Sequence, residues 1–266
     1  MDPFISEVVT FALRWLHVLV GIAWVGYAYF LVLAWAPVSL QLEPAVRKAV
    51  TPHVITRVLP FFRAVAILTW VTGLLLLGLV YHAGGLMVSA GGGSAGMAIG
   101  VGVVALLFSF FPYDLLFKSP LGKGPGAAAV CCVLFAGLAF GLSQVMTGRA
   151  MFIHLGGTLA TVMLMNAAMR LAPAQAKFIK MLKDELPFDP QVAALVGQRS
   201  AHNAVMSVAV VAFMLSFHLP SAYGHDLAWA LAAGLGVLCF VIAGAIIGAM
   251  VPKPPPPPPA APPASN

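Results

Sequence analysis

Apolar residues run along this chain in seven long stretches that are separated by short polar or glycine-rich segments. A helix needs about 20 mostly apolar residues to cross the hydrocarbon core of a membrane, and each stretch is long enough. The pattern therefore predicts an all-α fold, a polytopic membrane bundle of seven transmembrane helices within residues 1–250. The predicted spans cover roughly residues 10–36, 58–81, 94–117, 126–146, 150–171, 200–219 and 227–250.

Composition agrees with the membrane interpretation, because 61% of the residues are hydrophobic and only 8% are charged. Soluble domains carry about 25% charged residues, so a water-soluble fold is excluded. The three cysteines, Cys131, Cys132 and Cys239, lie in apolar stretches without a Cys-x-x-Cys spacing. A zinc knuckle and covalently attached haem are therefore not expected. The N-terminus has no basic segment of the kind that begins a signal peptide, and we interpret it as the start of the first span.

The basic residues predict the orientation of the bundle. Eleven lysines and arginines fall on one side of the predicted spans, and only Arg149 falls on the other. Cytoplasmic loops of membrane proteins are rich in lysine and arginine, so the N-terminus is expected outside and the C-terminus inside. The net charge of +6 then reflects topology rather than nucleic-acid binding. The eleven are Arg47, Lys48, Arg57, Lys118, Lys123, Arg170, Lys177, Lys180, Lys183, Arg199 and Lys253.

Two segments are expected to lie outside the membrane core. Residues 174–186 have apolar positions at helical spacing and a basic face, which predicts a helix along the cytoplasmic surface. Residues 251–266 are rich in proline and are expected to form a disordered tail.

Ionisable residues inside spans are costly, so the histidines at membrane depth are candidate site residues. The predicted topology puts His17, His154 and His218 on three helices in the outer half. Imidazoles from separate helices can hold haem iron or copper, so these three are candidate cofactor ligands, with His17 and His154 as the pair for the iron of haem b. The alternative is a histidine hydrogen-bonded within the bundle or lying at the interface, which is the expectation for His82 and His225 at span ends.

The segment GQRSAHN, residues 197–203, opens the sixth predicted span with a dense set of polar side chains. The free amide groups and dipole of a helix N-terminus favour an anion. Arg199, His202 and Asn203 are therefore candidate catalytic residues, and Gln198 with Arg199 is the candidate substrate-binding pair. The alternative is that Ser200 caps the helix while Arg199 lies at the lipid headgroups.

Several motifs resemble one family, and their order is kept over most of the chain. The segments GRAMFIHLGGTLATVMLMNAAMRLAPAQAKFIK and QRSAHNAVMSVAVVAFMLSFHLP look like the N-terminal membrane domain of the bacterial integral-membrane urate hydroxylases, the cytochrome c-linked urate oxidases. RWLHVLVGIAWVGYAYF and YDLLFKSPLG resemble the first span and the end of the third span in that family.

The resemblance implies a multi-pass protein of the bacterial inner membrane that oxidises urate to 5-hydroxyisourate with water as the oxygen source. Electrons would pass to a cytochrome c, so the expected partners are the lipid bilayer, urate and a separate cytochrome c, with no nucleic acid. The positions that match the family motifs are His17, His154, His202, Asn203 and His218.

This sequence departs from the family in two places. The family has a longer connector between its first two spans, with a His-Gly-Gly-Gly-Phe-Tyr motif, and only His53 could stand in for it here. The family also continues into a further span and a cytochrome c domain, which this sequence does not contain. The alternative function is therefore a haem-bearing electron-transfer or complex subunit that has lost urate chemistry. A weaker alternative, suggested by the methionines in residues 162–169, is a copper or small-solute transporter.

Overall fold

The computed structural model describes residues 2–89, 93–124 and 126–250. Within these ranges, seven helices are long and apolar enough to cross a membrane, and this confirms the predicted all-α bundle. The proline-rich segment 251–266 lies outside the described residues. The helices are α1 (Pro3–Gln41), α2 (Pro44–His82), α3 (Ala95–Lys118), α4 (Gly126–Ser143), α5 (Gly148–Leu182), α6 (Pro190–His218) and α7 (Ala228–Met250).

Short connections make consecutive helices antiparallel, so the loops fall at two ends of the bundle. We call the end that holds the α1–α2, α3–α4 and α5–α6 connections the basic end, because nearly all the lysines and arginines of the loops lie there. The opposite end holds the N-terminus and the other three connections. The predicted orientation in the membrane rests on this concentration of basic residues at one end, and it stays a prediction.

Several helices are longer than the predicted spans. Both α1 and α2 have 39 residues, whereas about 20 suffice to cross a membrane. The predicted surface helix at 174–186 is not a separate element, because α5 continues to Leu182 through a π-helical turn at Ala167–Leu171. The additional residues extend α5 at the basic end.

Helix α5 is the centre of the bundle. In its most apolar window 72% of the residues are buried, against 44% or less in the other six helices. It packs against α3 and most extensively against α6, α1 packs along α2, and α7 packs against α4 and α6. A Cβ atom on Gly156 would lie 2.9 Å from the Cβ of Phe213, so this glycine lets α5 and α6 approach closely.

Two π-helical turns carry polar residues into the bundle. One ends α2 at Leu77–His82, and the other lies within α5 at Ala167–Leu171 and includes Arg170. Such turns are often found at functional sites, because the wider turn redirects side chains relative to a regular helix. The two turns lie at opposite ends of the bundle, and each belongs to one of the two polar clusters described next.

Candidate functional site

The first cluster is a pair of histidines at the end opposite the basic end. The rings of His82 and His154 have centroids 6.0 Å apart and planes inclined by 28°. His154 is completely buried, and His82 is half-buried at the last position of α2. The two side chains come from different helices, so this arrangement, which we call the histidine pair, depends on tertiary packing.

The hydrogen bond of His154 determines which of its ring nitrogens is free. Its Nδ1 lies 2.8 Å from the carbonyl oxygen of Ala150. A carbonyl oxygen only accepts, so Nδ1 carries the hydrogen and Nε2 keeps its lone pair. Within the described residues, the Nε2 atoms of His154 and His82 are both buried without a hydrogen-bond partner. An imidazole fixed at one nitrogen by a backbone carbonyl, with the other nitrogen bare, is the usual state of a metal-binding histidine.

The chain holds the histidine pair together through the connection after α2 and the start of α5. Thr147 caps α5, with its Oγ1 accepting from the amide of Ala150 at 3.2 Å. The amide of Thr147 donates to the Met87 carbonyl at 2.8 Å, and its hydroxyl donates to the Leu86 carbonyl at 2.9 Å. These bonds tie the segment that follows His82 to the first turn of the helix that carries His154.

A glycine on α3 makes room for His154. A Cβ atom on Gly102 would lie 2.6 Å from the Nε2 of His154, which is closer than real contacts allow. Any other residue at this position would therefore push the ring away from its place. Gly102 thus lets the edge of the His154 ring that carries Nε2 pack directly against the backbone of α3.

An arginine lies next to the histidine pair. The guanidinium carbon of Arg149 is 6.0 Å from the ring centroid of Tyr81, the residue that precedes His82. The Nε of Arg149 is buried and has no partner among the described residues. A cation therefore contacts the residue next to His82 in the sequence.

The structure does not bring the predicted ligands His17 and His218 to His154. The Nδ1 of His17 lies 3.0 Å from the Oγ1 of Thr72 on α2, ten residues before His82. At a rise of about 1.5 Å per residue, His17 lies roughly 15 Å deeper along α2 than His82 does. His218 is exposed in the last turn of α6, where its ring lies against Phe217. Among the described side chains, the ring that contacts His154 is that of His82, which the sequence analysis assigned to the interface.

The second cluster lies at the basic end and is built around one carboxylate. Asp114 is buried, and both of its oxygens accept from Arg170, at 2.7 Å from Nε and 2.5 Å from one terminal nitrogen. Lys118 lies 2.9 Å from the same carboxylate, and a terminal nitrogen of Arg199 lies 3.6 Å away. We call Asp114, Lys118, Arg170 and Arg199 the charged cluster, and it joins α3, α5 and α6.

Aromatic rings, one carboxylate and one side-chain amide lie around the guanidinium group of Arg199. Its guanidinium carbon lies 5.3 Å from the ring centroid of Tyr113 and 5.7 Å from that of Phe117. One terminal nitrogen donates to the Oδ1 of Asn166 at 3.4 Å. The Nε of Arg199 is buried and lacks a partner within the described ranges.

The predicted residues of segment 197–203 fall into different environments. Both polar atoms of the Asn203 side chain are bonded, to Asn166 at 2.7 Å and to the Met163 carbonyl at 3.0 Å. The Nδ1 of His202 lies 2.9 Å from the hydroxyl of Tyr113. Gln198 is exposed and belongs to neither cluster. The structure thus brings Arg199, His202 and Asn203 together without Gln198.

The helix terminus invoked for this segment is not there. Helix α6 begins at Pro190, where the Oδ1 of Asp189 accepts from the amide of Gln191 at 2.8 Å. Arg199 therefore lies in the third turn, its backbone amides are bonded within the helix, and Ser200 is not a cap. Any attraction for an anion must come from side chains.

The sequence analysis missed the partners of Arg199, although one signal marks them. Asp114 is the only acidic residue between Glu43 and Asp184, a stretch that contains four of the seven spans complete. A lone carboxylate near the end of a span, with Lys118 four residues later, indicates an ion-paired group.

The comparison with protein families identifies the chain. The family model described as urate oxidase N-terminal matches residues 42–248, more than three quarters of the sequence. The chain belongs to the urate oxidase N-terminal family. The match includes the histidine pair and the charged cluster, and leaves α1 with His17 outside. No curated protein and no solved structure matches the chain.

The histidine pair suits a metal ion whose other ligands come from a prosthetic group. Among the described residues, no group of three or more His, Cys, Asp or Glu side chains could hold a metal ion. A structural zinc needs four protein ligands, whereas a haem iron needs only axial ones. Metal–imidazole bonds are about 2 Å long, which puts the ring centroids of two ligands on one ion roughly 6 Å apart. The bare nitrogens and the separation of 6.0 Å between the ring centroids suit such a ligand pair.

Proposed function

We propose that this protein is a membrane oxidoreductase that oxidises urate to 5-hydroxyisourate and passes the electrons to a separate cytochrome c. One observation carries the proposal: in a chain of the urate oxidase N-terminal family, two histidines from different helices have ring centroids 6.0 Å apart and buried Nε2 atoms without a partner among the described residues. Membership supports urate-related oxidase chemistry, and the histidine pair supports a redox group.

The reaction needs an electron carrier. Urate takes one oxygen from water and releases two protons and two electrons, so an acceptor must remove the electrons. Haem b, held by His82 and His154 in place of the expected His17 and His154, would supply one-electron transfer when bound. The Ala150 carbonyl keeps the His154 hydrogen on Nδ1, and the lack of a side chain at Gly102 lets the ring keep its place. In this proposal, the end of the bundle that carries the histidine pair faces the outside of the bacterial inner membrane, so the cytochrome c docks there.

The test is urate-dependent reduction of added cytochrome c by the purified protein in detergent or nanodiscs. The wild-type protein is expected to reduce cytochrome c when urate is present, and His154→Ala is expected to abolish the reaction. His225→Ala is the matched control, because this histidine is exposed in the loop before α7. Retention of full activity in His154→Ala would contradict the proposed redox site.

The alternative function has one observation in its favour. Helices α1 and α2 are joined by Leu42 and Glu43 alone, so the longer connector of the urate hydroxylases has no counterpart here. A protein that binds haem but never reduces cytochrome c with urate would be an electron-transfer subunit that has lost urate chemistry.

A further inference from the structure

The charged cluster is far from the histidine pair. Arg170 follows His154 by 16 residues in the same helix, which corresponds to about 24 Å along the axis. The charged cluster therefore lies outside the proposed redox site.

The charges in this cluster do not balance. Three cations share the single carboxylate of Asp114, and Arg170 occupies both of its oxygens. The side chains of Lys118 and Arg170 are 54% and 29% exposed, so water solvates part of their charge. The Arg199 side chain is only 2% exposed, and its distance of 3.6 Å to Asp114 is longer than a hydrogen bond. Arg199 is thus the buried cation with the least compensation, a costly state that a bound anion would relieve.

Aromatic rings lie around Arg199. The faces of Tyr113 and Phe117 lie over the guanidinium group of Arg199, and the ring of His202 lies 4.3 Å from that of Phe117. A planar ligand can stack on such rings while its charge pairs with the guanidinium group. This combination favours a flat organic anion over a compact inorganic one.

The backbone around Arg199 is held in place. The side-chain amide of Asn166 donates to the Arg199 carbonyl oxygen at 3.1 Å and to the Oδ1 of Asn203 at 2.7 Å. These buried bonds cross from α5 to α6 and restrict the position of the guanidinium group. A charged group that is positioned before binding loses less conformational entropy when a ligand arrives.

We infer that the charged cluster is the binding site for a planar organic monoanion, and that this anion is urate. Arg199 and Lys118 supply the positive charge, and Tyr113 and Phe117 supply the stacking surface. The ion pair of Asp114 with Arg170 fixes α3, which carries Lys118 and both rings, against α5. The identity of the anion rests on the proposed function, whereas the site itself rests on the charges and rings described above.

The experiment measures urate binding directly, by equilibrium dialysis of the full-length protein in detergent. Arg199→Lys and Lys118→Gln are each expected to weaken urate binding about 10-fold, because a charge-assisted contact is lost or displaced. Lys118 is half exposed, so its variant keeps the inference testable if the buried arginine variant fails to fold. Lys48→Gln is the matched control, since Lys48 pairs with Asp184 on the surface of the same end, and its urate affinity should equal that of the wild type.

Two outcomes would overturn the inference. In the first, Lys118→Gln binds urate as the wild type does while Arg149→Gln weakens binding, which would move the anion to the histidine pair. In the second, sulfate competes with urate at equal concentration, which would make the cluster a site for inorganic anions or lipid phosphates. The assay needs no turnover, so Arg199-dependent binding without cytochrome c reduction would refute the proposed oxidation and leave this site in place.

Discussion

Replacement of Asp114 by asparagine tests how the charged cluster stabilises the bundle. The substitution keeps the shape of the side chain but removes the one carboxylate that faces Lys118, Arg170 and Arg199 among the residues that the structure describes. Removing one partner of a buried ion pair costs about 3–5 kcal/mol. Lys118 and Arg170 are partly exposed and regain hydration, so we place the loss near the lower end, at about 3 kcal/mol. For a chain of this size that corresponds to a fall in Tm of about 6–12 °C.

The measurement is thermal unfolding of the purified protein in detergent, followed by intrinsic fluorescence. Asp184→Asn is the matched control, because Asp184 pairs with Lys48 and both side chains are well exposed, at 71% and 49%. A surface pair contributes about 1 kcal/mol or less, so the control should change little. Equal Tm values for Asp114→Asn and Asp184→Asn would show that the cluster does not stabilise the packing of α3 against α5 and α6.

Three further substitutions test the contacts that position the two clusters. Gly102→Ala should displace His154, lower stability by about 1–3 kcal/mol and reduce the bound haem per protein; unchanged absorbance would refute the role given to this glycine. Thr147→Val removes the cap of α5 and the hydrogen bond from the Thr147 hydroxyl to the Leu86 carbonyl, and should cost about 1–2 kcal/mol in thermal unfolding; an unchanged Tm would show that these two bonds are dispensable. Asn203→Ala should cost about 1–3 kcal/mol, because its bonded neighbours are left unpaired in the core; a stability equal to that of the wild type would contradict a structural role.

The number of spans could be predicted from the sequence because the length of an apolar stretch is a local property. The ends of the spans could not. The region before residue 58 contains Arg47, Lys48 and Arg57 and was predicted to be a loop, yet α2 begins at Pro44 and runs through both Pro52 and Pro60. A helix that is packed along a neighbour, as α2 is along α1, tolerates prolines whose freed backbone groups are accommodated locally.

The candidate site was predicted in part. Ionisable side chains such as His154 and Arg199 could be recognised because residues of this kind are rare inside spans. Their partners could not, because the pairing of His154 with His82 depends on a π-helical turn and on the tertiary bonds of Thr147. The helix terminus expected at the start of the sixth span is not there, since α6 begins at Pro190 and Arg199 lies within the helix.

The most direct test of the account is the visible absorption spectrum of the purified protein, with the haem quantified as its pyridine haemochrome. The account predicts a Soret band from haem b in the wild-type protein that is lost in both His82→Ala and His154→Ala and retained in His17→Ala. A colourless wild-type protein that is folded, or a band that survives in both His82→Ala and His154→Ala, would contradict the assignment of the histidine pair as the redox site.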